Sequence, residues 1–135
     1  METAMKKKFS NLFFVIAFLS GGSIAHADDT IAGVLFGSPN QSSAVCYLFN
    51  TGSSAVAITS KYLTAENGGG TYALTYDSCK TSISAGKVCA FQATLGSANG
   101  GVACSVTLSP SGASIRGELE IRDSGAYHIS NVILR

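Results

Sequence analysis

The chain reads as an all-β protein, an antiparallel β-sandwich of about seven to eight strands stapled by two disulfides. Three observations carry that reading. Apolar residues recur at every second position in run after run, with polar turns rich in Gly, Ser, Asn and Asp between the runs. After the N-terminal segment, no stretch repeats its apolar residues at helical spacing. Four cysteines follow a segment with export features, so pairing in an oxidising compartment is expected.

That N-terminal segment has the order of a secretory signal. Lys6, Lys7 and Lys8 precede the apolar run Leu12 to Leu19, and Ala25-His26-Ala27 supplies small residues at a cleavage site. The apolar run is too short for a transmembrane span. The expectation is a signal peptide over residues 1–27 and a single β-sandwich domain over residues 28–135. The whole chain has nine basic and eight acidic residues; without residues 1–27 these become six and seven, a net charge of −1. A nearly neutral domain with no basic cluster lacks the electrostatic footprint of a nucleic-acid binder, and that of a protein attached to an anionic membrane surface.

The strands follow in order. Thr30 to Phe36 is a short first run, weakened by Gly33, and Gly37 to Ser43 is a loop by composition. Ala44 to Asn50 is apolar on both faces, with Ala44, Cys46 and Leu48 on one and Val45, Tyr47 and Phe49 on the other. Such a strand is central with both faces covered, or it offers aromatic side chains to a partner. Ala55 to Leu63 and Thr71 to Tyr76 come next, the latter placing Tyr72, Leu74 and Tyr76 on one side. Val88 to Leu95 puts Cys89, Phe91, Ala93 and Leu95 inward. Gly96 to Gly101 reads as a hairpin connection into Val102 to Leu108, where Cys104 faces inward. Ile115, Gly117, Leu119 and Ile121 alternate with Arg116, Glu118, Glu120 and Arg122, a half-buried strand with a charged outer face. Residues 126–134 close the fold.

Four cysteines allow three pairings. Cys79 with Cys89 and Cys46 with Cys104 is the favoured set: the first closes a short loop around Gly86, and the second joins two strands whose cysteines lie among inward apolar residues. A four-thiolate zinc site needs close cysteine pairs, whereas here the nearest two are separated by nine residues. No cofactor, metal site or catalytic residue is expected. His128 stands alone in its strand with no nucleophile elbow in the chain. Glu118 and Glu120 share a strand face at roughly glycosidase spacing, but Arg116 and Arg122 flank them, which makes the four a charge ladder.

The segments CYLFNTGS (46–53), DSC (77–79), SAGKVC (84–89), VACSV (102–106) and IRGELEIRDSG (115–125), with the final ILR, resemble a group of small exported bacterial four-cysteine proteins with an R-G-x-L-E-x-R-D motif and no assigned activity. More loosely, NTGSSAVAIT and SAGKVCAF are similar to immunoglobulin-like modules of the abnormal-spindle/hydin type, with Ala85 where that family has proline. The resemblance implies an immunoglobulin-like sandwich and a binding or structural role.

The expected function is therefore a non-enzymatic module in the periplasm or outside the cell, bound to a protein or glycan partner through Val45, Tyr47 and Phe49. Two other readings are compatible with the sequence. One is an inhibitor of an exported protease or wall hydrolase acting through loops 37–43, 64–70 and 96–101. The other is a subunit that self-assembles at a sheet edge.

Overall fold

The computed structural model describes residues 29–37, 40–66, 69–96, 100–110, 112, 114–124 and 128–134. Among them are nine strands: β1 (Asp29–Phe36), β2 (Gln41–Asn50), β3 (Val56–Ala65), β4 (Leu74–Asp77), β5 (Ser82–Ile83), β6 (Val88–Thr94), β7 (Gly101–Ser109), β8 (Ile115–Asp123) and β9 (His128–Leu134). They form a four-stranded sheet in the order β1-β7-β3-β5 and a five-stranded sheet in the order β4-β6-β2-β8-β9. Every pairing is antiparallel. The two inner faces share one core, an antiparallel β-sandwich.

The period-2 patterns dictate that core. Leu48 from β2, Phe91 from β6, Leu119 and Ile121 from β8 meet Leu63 from β3 and Val102, Val106 and Leu108 from β7, all of them fully buried. β2, apolar on both faces, is the middle strand of its sheet, between β6 and β8. Its Cys46 is bonded to Cys104 of β7, so this disulfide ties one sheet to the other through the core, with the Cα atoms 6.3 Å apart. The other disulfide, Cys79–Cys89, fastens the turn after β4 to the start of β6.

The two sides of the sandwich close differently. On the β1/β9 side, Leu134 occupies space left by two glycines: a Cβ on Gly33 would lie 2.7 Å from Leu134 Cδ2, and one on Gly117 would lie 2.6 Å from its Cδ1. Side chains there would displace Leu134 from its buried position. On the β3/β4 side the link is polar. Lys61 Nζ of β3 meets Asp77 Oδ2 of β4 at 3.0 Å and also donates to the Lys80 carbonyl. Asp77 Oδ1 accepts from the Cys79 and Lys80 amides at 3.0 and 3.2 Å, which shapes the turn that carries the second disulfide.

Several details depart from the sequence reading. The connection over residues 96–101 is not a hairpin, because β6 and β7 belong to different sheets and the chain crosses between them there. Permissive turn residues mark a change of direction without saying which strand comes next as neighbour. β2 starts at Gln41, inside the segment read as a loop; Gln41 is buried and pairs with Asp123, and a bulge between Gln41 and Ser43 absorbs the irregular sequence. Tyr72, Leu74 and Tyr76 do not share a face. Tyr72 and Leu74 pack on the core, but a register shift between Leu74 and Tyr76 turns Tyr76 out to solvent. The two-residue β5 was not expected; it places Ile83 in the core.

Candidate functional site

The outer face of the five-stranded sheet gathers the residues singled out by the sequence. In β2, Val45, Tyr47 and Phe49 point away from the core, and their neighbours on β8 are Glu120, Glu118 and Arg116 respectively. On the other flank they lie beside Gln92, Ala90 and Val88 of β6. β9 brings Ile133 alongside Glu118. Aromatic, aliphatic and charged rows therefore run side by side across four strands.

Exposure divides the three β2 residues. Val45 is only 3% exposed, so it supports the sheet and drops out as a contact residue. Tyr47 is half-buried and Phe49 is 41% exposed. Phe49 is joined by Val88 and Ile133, 64% and 65% exposed. These side chains, with Tyr47, Arg116 and Glu118, line an open depression of about 320 Å³. Large apolar side chains clustered at this exposure are uncommon on a small domain and mark interaction surfaces.

The charged row has internal order. Arg122 Nη2 donates to Glu120 Oε2 at 2.9 Å and to the Tyr47 hydroxyl, and the guanidinium carbon lies 6.0 Å from the Tyr47 ring centroid. Burial, then the Glu120 carboxylate, pushes the Tyr47 phenol above its ordinary pKa. The hydrogen bond to Glu120 likewise holds the Arg122 proton more firmly. Glu120 and Arg122 thus anchor Tyr47 in place, while Arg116 and Glu118 border the depression. Glu118 and Glu120 face the same side, but the Glu120 carboxylate is engaged by Arg122, as expected of a ladder.

Val88, Ile133 and Arg116 complete the surface and were not foreseen as part of it. Their outward direction is implicit in the alternation around them: Cys89 and Leu134 face inward, so Val88 and Ile133 face out. What the sequence does not carry is that β6 and β9 lie on either side of the β2–β8 pair. The loops expected to bear an inhibitory surface each include residues outside the described set (38–39, 67–68 and 97–99). His128 pairs with Arg122 through its backbone, and its side chain also lies outside the described structure.

Among the described residues, no group of His, Cys, Asp and Glu side chains is arranged to hold a metal ion. None of their helices is long and apolar enough to cross a membrane. No protein-family model, curated protein or solved structure matches the chain.

Proposed function

We propose that the chain is a non-enzymatic, exported binding module that holds a protein partner on the outer face of its five-stranded sheet. The observation that carries this reading is the exposed cluster of Phe49, Val88 and Ile133 around an apolar depression with a charged border. A depression of that size accepts one or two apolar anchor side chains, and the arginines and glutamates beside it select the orientation of what enters. Export is supported by the Lys6–Lys8, Leu12–Leu19 and Ala25–Ala27 pattern. Two disulfides point to folding in an oxidising compartment, the periplasm or the cell exterior. The resemblance to small exported four-cysteine proteins agrees with this placement.

The test is affinity capture from envelope and culture-fluid extracts on the immobilised, oxidised chain, beside its Phe49→Ser and Val88→Ser variants. The expected result is one protein retained stoichiometrically by the parent and at least ~10-fold less by each variant, the loss of one anchor worth ~1.4 kcal/mol. Equal retention by all three chains would overturn the assignment of the surface. An eluate empty of protein, with the immobilised chain folded, would overturn the protein-binding reading and send the search to glycans.

A further inference from the structure

The opposite face of the molecule has a different chemistry. In the four-stranded sheet, the outward positions of β1, β7 and β3 align in rows across the strands: Thr30, Thr107 and Ser60 form one, and Ala32, Ser105 and Tyr62 the next. None of the outward positions on these three strands carries a charge. The carboxylates of Asp29 and Glu66 sit at the ends of β1 and β3, where they accept the Gly112 and Gly101 amides at 3.0 Å. Lys61, on β3, is turned to the β4 side and held by Asp77. Outer faces of sandwiches ordinarily carry interspersed charges that keep them solvated and apart. This face instead exposes Val34 (53%), Phe36 (64%) and Tyr62 (37%) among small residues.

We propose that this face is a self-association surface, on which a second copy of the chain packs face to face about a twofold axis. The hydroxyls of the first row can be buried at low cost, because they satisfy one another: Thr107 Oγ1 is 3.2 Å from Thr30 Oγ1 and accepts the Ser60 hydroxyl at 2.9 Å. With no charged group in the rows, the face has nothing to attract an anionic membrane or a charged protein. It fits an uncharged surface of small residues with exposed apolar side chains among them, and the same face of another copy is one. Twofold packing brings identical patches together, which here entails no like-charge repulsion. β1, β7 and β3 are 8, 9 and 10 residues long. At ~4.8 Å between strands and ~3.3 Å per residue, they offer roughly 400–500 Å² per copy. The total of roughly 900 Å² lies at the low end of specific interfaces, so the dimer is weak and reversible.

The test is sedimentation of the full chain, purified with both disulfides formed, from ~1 μM to ~1 mM, the range over which weak interfaces dissociate. The expected result is a monomer–dimer equilibrium within that range. Ser105→Lys, at the centre of the face, and Val34→Lys, on the exposed edge strand, each weaken the dimer at least tenfold, while Val88→Ser on the other sheet leaves it unchanged. Circular dichroism of each variant verifies that the sandwich is intact. A monomer throughout, or a dimer indifferent to both lysines, overturns the proposal. An open ladder of oligomers growing with concentration overturns the closed twofold arrangement. This surface is separate from the one proposed for the partner, so either can fail without the other.

Discussion

Replacing Cys46 and Cys104 together by alanine removes a link between residues 58 apart in the chain, whereas replacing Cys79 and Cys89 removes one spanning 10. By the loop-entropy relation, the first link is worth about 4.2 kcal/mol at 25 °C and the second about 2.7. All four cysteines are buried, so each pair also leaves two sulfur-sized voids, and that contribution is similar in the two variants. The difference between them is then about 1.5 kcal/mol, roughly tenfold in the folding equilibrium. Against a typical domain stability of ~5–15 kcal/mol, the long link carries a large share. The chain has five tyrosines and no tryptophan, so urea unfolding is followed by tyrosine emission and far-ultraviolet circular dichroism. Both variants unfold at lower urea than the parent, the Cys46/Cys104 pair at the lowest. Should the Cys79/Cys89 variant prove equally or more destabilised, loop entropy would not be the governing quantity. The turn that also holds the Lys61–Asp77 link between the sheets would be the reason.

Two further outcomes follow from polar groups. Asn50 is fully buried and hydrogen-bonded on both sides of its amide: Nδ2 donates to the Ser54 and Ile83 carbonyls at 2.8 and 3.0 Å, and Oδ1 accepts the Gly52 amide at 2.9 Å and the Ser114 hydroxyl at 3.2 Å. Asn50→Ala strands several of these groups and costs ~3 kcal/mol in urea unfolding; a loss under ~1 would show that the knot contributes little. Tyr47 holds its proton more tightly folded than unfolded. Its contribution to stability is complete below the unfolded pKa of ~10 and declines as pH rises through the folded value. Melting temperature measured from pH ~9 upward therefore falls more gently in Tyr47→Phe than in the parent, and parallel profiles would contradict the assignment.

Strand positions and the inward set were legible because period 2 is a strong signal when one face is buried. The Ile115–Arg122 alternation fixes β8 almost to the residue, and the inward cysteines of β2, β6 and β7 could be read the same way. Neighbour relations were not legible. Nothing local distinguishes the loop over residues 96–101, which changes sheet, from a hairpin loop, since both need only permissive residues. The bulges at Gln41/Ser43 and Leu74/Tyr76 are likewise set by what the partner strand presents. The same gap explains the candidate site. Phe49 was visible as an outward aromatic, but its junction with Val88 and Ile133 depends on which strands flank β2 and β8. Val45 has the pattern of a contact residue and is covered instead, because a central strand places neighbours on both sides of it.

The two outer faces also constrain one another. Along β8 the outward residues run Arg116, Glu118, Glu120, Arg122, a glutamate pair flanked by an arginine on each side, so a second copy laid on that face with the row in register sets arginine against arginine and glutamate against glutamate. A partner there must supply its own complementary charges, which favours a different molecule over a second copy. The four-stranded face has the reverse property: it carries no charged row and so sets up no like-charge repulsion with its own copy. A dimer formed through the four-stranded sheets turns both five-stranded faces outward, on opposite sides of the assembly. Two depressions so placed cannot close on one molecule of partner, yet they can engage two partner copies displayed on a surface. Weak self-association would then raise the effective affinity for clustered partner without any new contact.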